Sequence, residues 1–306
     1  MLYRTLGKTG LRVSEIGLGC ASFWGKPVFD ETEAIGIVHA AADRGVTFFD
    51  TGASYSGGNA EPRLGRALAG LSNRHELVVA TKAGSCIDEQ GKRREDFSSA
   101  GVRRTVEASL VRLGLDVIPL LHLHGPDIVH LTDDLLDTLR RLKQEGKVRH
   151  LSVNSFDEAV LEHVATLPLF EAVMIDYSVL RPEREPLIAR LAAQNTGVMA
   201  GMVLGGGLYR SRLGIRRLQD AWYLARALKN HRADLRRGRA LRFIDRREGW
   251  TGGEIAISWV LRNRHIACAV FGTTRMAHLL ENLRASGRPL DDTMLQRIAE
   301  AQRTFG

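Results

Sequence analysis

The chain has 306 residues, of which 44% are hydrophobic and 25% are charged, and its formal net charge is +8. These fractions are those of an ordinary soluble globule, which argues against a disordered chain. No apolar run approaches the ~18 residues that cross a bilayer, and the first residues lack the apolar segment of a signal peptide. We therefore expect no membrane partner.

The cysteines indicate a reducing compartment. Cys20, Cys86 and Cys268 are few, odd in number and widely separated, and no C-x-x-C pair occurs. This pattern fits neither a disulfide framework nor a metal site. We predict a cytoplasmic protein without a bound metal.

Short apolar runs recur along the chain after a predicted hairpin, in which Tyr3–Leu6 and Leu11–Val13 flank a Gly-Lys-Thr-Gly turn. Because the runs are apolar on both faces, they suit parallel strands that are covered by helices. The predicted strands are Glu15–Cys20, Val46–Asp50, Leu77–Lys82, Ile118–His124, Val148–Val153, Ala172–Tyr177, Val198–Met202 and Ala267–Phe271.

Helical patterns separate these strands. Asn59, Thr132 and the pair Thr251 and Glu254 stand where side chains cap helix starts. The predicted helices are Glu31–Arg44, Glu61–Leu68, Ala100–Leu113, Asp133–Glu145, Glu158–Ala165, Glu183–Gln194, Glu254–Arg262, Met276–Ala285 and Asp291–Thr304.

Alternating strands and helices predict an α/β fold, either a closed barrel or an open doubly wound sheet. No G-x-G-x-x-G follows the first strand, which argues against the open dinucleotide-binding sheet. The length is typical of one barrel domain. We predict a single domain over residues 1–306, a (β/α)8 TIM barrel with an N-terminal β-hairpin and an Arg-rich insertion after strand 7.

Four polar residues stand at or just after the ends of three successive predicted strands. Asp50 and Tyr55 lie in V-T-F-F-D-T-G-A-S-Y, Lys82 ends L-V-V-A-T-K, and His124 closes I-P-L-L-H-L-H. The carboxyl ends of barrel strands converge at one rim, where enzymes of this fold carry their catalytic residues. A structural Asp–Lys ion pair beside a loop tyrosine is the alternative, but the joint placement favours catalysis.

Further motifs follow in order along the chain: R-T-L-G-K-T-G-L-R-V-S-E-I-G-L-G-C at Arg4–Cys20, L-G-L-D-V-I-P-L-L-H-L-H-G-P-D at Leu113–Asp127, and F-G-T-T-R-M-A-H-L-L-E-N-L at Phe271–Leu283. With the motifs around Asp50 and Lys82, they resemble the aldo-keto reductase family nearly end to end. The resemblance implies an NAD(P)H-dependent oxidoreductase that interconverts a small-molecule carbonyl compound and its alcohol.

The resemblance assigns a role to each of the four residues. Tyr55 is the candidate proton donor, although a free phenol with a pKa of about 10 is a reluctant acid at neutral pH. Lys82 would stabilise the phenolate, and Asp50 would keep that lysine charged and oriented. His124 would hydrogen-bond the substrate oxygen. His122, two residues earlier on the same strand, is predicted to be a hydrogen-bonded interior group.

The resemblance also implies a nicotinamide dinucleotide across the barrel rim, with its adenosine phosphate at the start of a helix. A glycine-rich loop after strand 7 resembles the family's pyrophosphate loop. The implied cofactor contacts are Asn154, Ser155, Met174, Gly201, Leu204, Gly206, Gly207, Gly272, Thr273, Thr274, Arg275, His278, Glu281 and Asn282.

Several of these positions depart from the family pattern. The usual Ser-Asn reads Asn154-Ser155, a frequent glutamine is Met174, and the aromatic residue that stacks on the nicotinamide aligns with Gly201. We therefore expect either a nicotinamide held in a different way above a roomier pocket or weakened hydride transfer. The second outcome leaves a cofactor-binding sensor or regulatory subunit with little turnover as the alternative function.

Cofactor and substrate preferences follow from a few further residues. Arg275 suits a 2′-phosphate and favours NADP(H) modestly over NAD(H), although a frequent lysine is Gly272 and a frequent arginine is His278. Phe23 and Trp24 are expected to line the substrate pocket together with Tyr55 and His124.

The positive charge is concentrated in one segment. Arg210–Arg247 contains 12 Arg, one Lys and three Asp, so the rest of the chain is slightly acidic. The segment either holds a bulky anionic or sugar-like substrate, through residues such as Arg210 and Arg212, or is a solvated helix face. It carries no nucleic-acid-binding motif, and we expect no nucleic-acid partner. The oligomeric state is left open.

Overall fold

A computed structural model describes residues 1–209 and 232–305. Its centre is a closed barrel of eight parallel strands, β1–β8, which confirms the predicted fold class. Each strand pairs with the next one along the chain, and β8 closes the barrel against β1. The strands are Ile16–Gly19, Phe48–Asp50, Val78–Ala83, Ile118–His124, Val148–Asn154, Ala172–Asp176, Gly197–Gly201 and Ile266–Phe271.

The barrel forms because its strands are apolar on both faces, as in β3, where every residue is buried. Outward side chains pack against the helices, and inward ones form a second apolar cluster that includes Phe48, Leu120 and Met199. The interior is crowded: a Cβ on Gly17 would lie 2.8 Å from Sγ of Cys268. Only a residue without a side chain fits there.

Ten helices, α1–α10, are described around the barrel. None of the helices in residues 1–209 and 232–305 combines the length and the apolar character that a bilayer span requires. In chain order the helices are Glu31–Ala42, Ala60–Ala69, Ser99–Leu113, Asp133–Gln144, Glu158–Ala165, Glu185–Ala193, Arg232–Ala240, Gly252–Leu261, Met276–Leu283 and Asp292–Gln302.

Two of the three predicted caps are confirmed. Thr132 accepts a hydrogen bond from the first turn of α4, and Thr251 and Glu254 form the predicted capping box at the start of α8. The prediction for Asn59 is wrong. Its side-chain amide donates to the backbone oxygen of Gly25 at 2.7 Å and so ties α2 to the loop after β1.

All eight predicted strands agree with the structure to within two residues at each end, and the largest difference is at the start of β2. At the start of β2, Val46 and Thr47 were expected in the strand, but β2 begins at Phe48. The backbone of Thr47 instead donates to the hydroxyl of Ser14 at 3.0 Å, and its own hydroxyl accepts from the Ser14 amide at 2.9 Å. The amide of Thr47 is therefore bound to a side chain, while its backbone oxygen still accepts from the amide of Val78 at 2.7 Å.

Hairpins stand at both ends of the barrel. The predicted N-terminal hairpin is present as Tyr3–Thr5 and Arg12–Ser14, and the fully buried Leu6 and Val13 belong to the interior apolar cluster. A hairpin that we did not predict, Ser85–Ile87 with Arg93–Glu95, follows β3 at the carboxyl end of the strands. It stands beside the candidate active site.

Part of the predicted Arg-rich insertion is described. Residues 210–231, which include Arg210 and Arg212, lie outside the described residues. The part that follows contains α7, which is held to the loop after β6 by ion pairs of Arg181 with Asp234 at 3.0 Å and of Arg237 with Glu183 at 2.6 Å.

Candidate active site

A buried ion pair forms the centre of the site. Asp50 ends β2, and Lys82 lies near the end of β3. Nζ of Lys82 is 2.6 and 2.7 Å from the two carboxylate oxygens of Asp50 and 2.7 Å from the backbone oxygen of Thr51. Burial by itself lowers the pKa of Lys82, but the charge of Asp50 and the neighbouring Tyr55 outweigh it and hold that pKa above its usual value. The ammonium is therefore retained.

Tyr55 lies above this pair, in the 3-10 turn Tyr55–Gly58 that follows β2. Nζ of Lys82 is 4.8 Å from the centre of the Tyr55 ring, and the Tyr55 and His124 rings meet edge to face with centroids 5.3 Å apart. Burial raises the pKa of the Tyr55 hydroxyl, and Lys82 only partly offsets that effect. The structure thus brings the four predicted side chains together, with a phenol that is protonated at neutral pH.

Ser85, which the sequence analysis did not single out, contacts His124 and is itself in contact with Ser54. The hydroxyl of Ser85 is 2.7 Å from Nδ1 of His124 and 2.9 Å from the hydroxyl of Ser54. Burial, followed by the positive charges of Lys82 and Arg93, lowers the pKa of His124 to about 3. The ring is therefore neutral at physiological pH. The signal in the sequence for Ser85 is its position three residues after Lys82, just beyond the end of the same strand.

His122 is interior, as predicted, but its ring lacks the expected hydrogen bond within residues 1–209 and 232–305. The residue is fully buried, and neither ring nitrogen has a hydrogen-bond partner among the described residues. Its Nε2 is 3.7 Å from Oδ1 of Asp50, an oxygen that already accepts from Lys82 at 2.6 Å. Burial and the charge of Lys82 lower the pKa of His122 well below its usual value. The imidazole is therefore a neutral part of the barrel interior.

The residues expected to hold a nicotinamide lie on or just after β5, β6 and β7. Asn154 and Gly201 end β5 and β7, Ser155 follows β5, and Met174 is the middle residue of β6. The side-chain amide of Asn154 donates to the backbone oxygen of Met174 at a long 3.4 Å, and Ser155 accepts from the backbone of Asp157 at 3.1 Å. The sulfur of Met174 lies 3.5 Å from the point where a Cβ on Gly201 would stand. The pocket is therefore less roomy than the loss of an aromatic ring suggested, because a thioether lies against Gly201.

The glycine-rich loop after β7 forms one wall of a cavity at the rim. Gly205, Gly206 and Gly207 have φ angles of 51°, 63° and 70°, a left-handed backbone that favours glycine. A Cβ on Gly206 would meet nothing closer than 3.8 Å, so its backbone faces open space. Leu204, which precedes the loop, is half-buried.

The same cavity is bounded by polar groups that the sequence did not single out. Asp176, at the end of β6, is 2.7 Å from a guanidinium nitrogen of Arg181 and 3.0 Å from one of Arg184. The cavity lining also contains the exposed side chains of Phe156 and Met202. Open glycine backbone therefore lies beside both charged and apolar side chains in this cavity.

The predicted adenosine end lies at the start of α9. The hydroxyl of Thr273 accepts from the backbone of Arg275 at 3.1 Å, and no side chain caps the helix in the described chain. A Cβ on Gly272 would lie 3.0 Å from the backbone oxygen of Gly19, so the lysine that the family often has there would need the backbone to move. Thr274 is buried, whereas Arg275 is partly exposed. Uncapped amides beside Arg275 fit an anion.

Further along α9, Asn282 is buried, and His278 and Glu281 are partly exposed. A Cβ on Gly253 would lie 2.2 Å from the side-chain oxygen of Asn282. Gly253, at the start of α8, therefore leaves the space that Asn282 occupies.

The two residues expected to line the substrate pocket differ in their contacts. Phe23 packs edge to face on Phe29 with centroids 6.3 Å apart. Trp24 is 1% exposed, and its indole nitrogen donates to the backbone oxygen of Ala34 at 3.1 Å. In this structure Trp24 ties the loop after β1 to α1, and its buried ring offers no open surface to a substrate.

Comparisons with known proteins agree with this geometry. A sequence model described as the aldo/keto reductase family matches residues 15–303. An uncharacterized oxidoreductase of Bacillus subtilis, YqkF, is 30% identical over 209 residues, which cover 68% of this chain. The matched region spans 66% of the length of that curated relative.

Two solved structures share the fold over nearly the whole chain. The aldo-keto reductase AKR11C1 from Bacillus halodurans, in its holo form, is 27% identical with a TM-score of 0.82, and the match covers 98% of this chain and 96% of that one. The putative aldo-keto reductase PA4992 from Pseudomonas aeruginosa is 26% identical with a TM-score of 0.71, and the match covers 94% of both chains. The chain belongs to the aldo/keto reductase family, whose members are oxidoreductases that use NAD(P)H to reduce carbonyl groups.

Proposed function

We propose that this protein reduces an aldehyde or ketone with NAD(P)H, or oxidises the matching alcohol, with Tyr55 as the proton donor. The observation that carries the proposal is the position of the Lys82 ammonium. It is 2.6 Å from the carboxylate of Asp50 and 4.8 Å from the centre of the Tyr55 ring, in a site from which water is largely excluded. A phenol beside a retained ammonium is a suitable acid for a developing alkoxide.

The nicotinamide, when bound, supplies the hydride. The task of the protein is to deliver a proton to the substrate oxygen as negative charge develops there. The hydroxyl of Tyr55 gives up that proton, and Lys82 stabilises the phenolate that remains. Asp50 keeps Lys82 charged in a buried position that otherwise favours the neutral amine. In the oxidation direction the same groups accept the proton.

His124 orients the substrate oxygen through a hydrogen bond from Nε2. A neutral imidazole can donate there only when Nδ1 is unprotonated. The serine pair supports that tautomer, because Ser54 can donate to Ser85 and Ser85 can donate to Nδ1 of His124. Ser85 is thus a positioning residue for the imidazole.

For the cofactor we propose the rim cavity and the start of α9. Asn154 and Ser155 would hold the carboxamide beside Met174 and Gly201, and the backbone of Leu204, Gly206 and Gly207 would bind the pyrophosphate. The adenosine end would be held by Gly272, Thr273, Thr274, Arg275, His278, Glu281 and Asn282. Arg275 supports a modest preference for NADP(H), because a guanidinium suits a 2′-phosphate.

We further propose that residues 1–306 form one domain and that the protein works in the cytoplasm. The support for one domain is the apolar cluster between strands and helices, which runs from Ile16 to Ile298. The support for the cytoplasm is that Cys20, Cys86 and Cys268 are free thiols, as a reducing compartment keeps them.

The test is the absorbance of the reduced nicotinamide during incubation with a panel of aldehydes, ketones and sugars. We expect turnover of at least one carbonyl compound by the unaltered protein and its loss in Tyr55→Phe, which keeps the ring and removes the proton. A Tyr55→Phe variant as active as the parent contradicts the role of Tyr55. Tight cofactor binding without turnover of any carbonyl compound contradicts the proposed activity.

A further inference from the structure

The hairpin that follows β3 presents one of its faces to the candidate active site. Its strands pair in the register Ser85 with Glu95, Cys86 with Arg94 and Ile87 with Arg93. Side chains of directly opposite residues in an antiparallel pair lie on the same face, and successive residues alternate between faces. Ser85, Ile87, Arg93 and Glu95 therefore share one face.

That face is turned to the catalytic groups. The hydroxyl of Ser85 reaches Nδ1 of His124 at 2.7 Å. The side chain of Ile87 lies 3.7 Å from the point where a Cβ on Gly58 would stand, in the turn that begins with Tyr55. Arg93 stands on the same face as these two side chains. Its charge contributes to the lowered pKa of His124 and opposes the rise in the pKa of Tyr55.

Arg93 is available to a ligand. Its side chain is 52% exposed, and no hydrogen bond to it is present among the described residues. The carboxylate of Glu95 is 3.7 Å away and is itself 59% exposed, so water screens this contact. The neighbouring Arg94 differs: it lies on the opposite face and pairs with Asp88, a carboxylate that also accepts from the backbone of the hairpin turn.

The other positive charge close to Tyr55 and His124 is already neutralised, whereas the carboxylate of Glu95, 3.7 Å away, compensates Arg93 only weakly. Lys82 is neutralised by Asp50 at 2.6 Å, and the pKa of His124 is about 3, so its ring carries no charge at neutral pH. A neutral aldehyde gains little from a cation at this place. An anionic group on the substrate gains a charge-assisted hydrogen bond.

We propose that the guanidinium of Arg93 binds a carboxylate or phosphate group of the carbonyl substrate while the carbonyl oxygen meets Tyr55 and His124. The substrates are then carbonyl compounds that carry a negative charge. This inference rests on the proposed function. It concerns the choice of substrate, since the proton transfer itself does not involve Arg93.

The test compares each charged substrate with a neutral counterpart. The pairs are 4-carboxybenzaldehyde with its methyl ester, and glyceraldehyde 3-phosphate with glyceraldehyde. For the unaltered protein we expect a lower KM for the charged member of at least one pair, and the pair that shows it identifies the anion. In Arg93→Gln we expect the KM for that substrate to rise roughly tenfold, as loss of a charged contact predicts. The KM of the neutral counterpart should change less than about twofold, because the lost contact is to the charge.

Three further variants test whether the effect depends on the charge and the position of Arg93. Arg93→Lys should keep most of the preference, because it keeps the positive charge. Arg94→Gln, with the same loss of charge on the opposite face, should behave as the parent does. Glu95→Gln should lower the KM for the charged substrate, because it removes a competing carboxylate. Added salt should raise that KM in the parent but not in Arg93→Gln.

Failure of this inference differs from failure of the proposed function. Equal KM values within both pairs for the parent overturn the role of Arg93, as does a charge preference that persists in Arg93→Gln. If no carbonyl compound is reduced, the proposed function fails, and calorimetric binding of 4-carboxybenzaldehyde to the complex with oxidised cofactor still decides the role of Arg93. In that measurement, a Kd that Arg93→Gln leaves unchanged overturns the role of Arg93. A Kd that rises in Arg93→Gln but not in Arg94→Gln supports that role.

Discussion

The hydroxyl of Ser85 lies 2.7 Å from Nδ1 of His124, and the hydroxyl of Ser54 lies 2.9 Å from the hydroxyl of Ser85. This short chain of hydrogen bonds joins the loop after β2, the hairpin after β3 and the end of β4. It orients an imidazole that is neutral because burial lowers its pKa to about 3. Nδ1 of His124 therefore contacts a serine hydroxyl.

Ser85→Ala removes the hydrogen bond to Nδ1 and leaves the four proposed catalytic side chains in place. We expect kcat/KM for carbonyl reduction to fall about fivefold, since one such bond contributes roughly 1 kcal/mol. The Kd of the cofactor should not change. Steady-state kinetics and a fluorescence titration measure the two quantities. The matched control is Ser258→Ala, a buried serine in α8 without a hydrogen-bond partner among the described residues. Equal effects of the two variants contradict the role of Ser85.

Asp50→Asn leaves Lys82 buried without its counter-charge. Burial lowers the pKa of Lys82, and Asp50 is the main group that offsets this effect. The variant should therefore lose reduction activity as pH rises, at a pH where the parent is still fully active, because the neutral amine no longer stabilises the phenolate. We expect kcat to fall by roughly two orders of magnitude at neutral pH, the lower end of what a positioned general acid contributes to the rate. Identical pH profiles of parent and variant contradict this account.

The parent itself should show a flat pH profile for reduction near neutrality. Burial raises the pKa of Tyr55 above its usual value, so the proton donor stays protonated. The pKa of His124 is about 3, so no histidine limb is expected between about pH 5 and pH 8. Activity should decline only as pH rises through the elevated pKa of Tyr55. Measurement of kcat/KM with saturating cofactor tests this, and a limb near pH 6.5 that disappears in His124→Ala contradicts it.

Arg275→Ala tests the proposed cofactor preference. If Arg275 holds the 2′-phosphate, the Kd for NADPH should rise about tenfold, as loss of a guanidinium–phosphate contact predicts, with little effect on NADH. Fluorescence titration with both cofactors gives the two constants. Arg264→Ala, which removes the same charge from an exposed turn before β8, is the control. An unaltered protein that binds NADH as tightly as NADPH removes the basis of the preference.

Glu254→Gln tests an element that supports the start of α8. This fully buried carboxylate accepts from the backbone of Thr251 at 2.7 Å and pairs with Arg284 at 2.9 Å and Arg288 at 3.0 Å. Its loss should lower the free energy of unfolding by roughly 2 kcal/mol. This is less than the cost of breaking a fully buried ion pair, because both arginines are partly exposed. The measurement is the midpoint of urea unfolding, and the control variant is Glu248→Gln, which removes an exposed carboxylate. Equal midpoints contradict the assignment.

The quality of the predictions from sequence varied with the kind of contact involved. The capping box of Thr251 and Glu254 could be predicted from the sequence because its partners stand three residues apart. The same reasoning was wrong for Asn59, whose amide reaches Gly25 in a different loop. The hairpin from Ser85 to Glu95 was missed because its strands are three residues long and its second strand is fully exposed, so that it has no apolar pattern.

The sequence by itself determined the barrel and the four residues at its rim. Strand ends follow from the apolar pattern, and parallel strands bring their carboxyl ends to one side, so Asp50, Lys82 and His124 had to converge. Only the tertiary structure decided that Ser85 orients His124, that Met174 lies against Gly201, and that Arg93 shares the face of Ser85. Such contacts join residues that are distant in the chain, and their partners depend on packing and strand register, which no local pattern records.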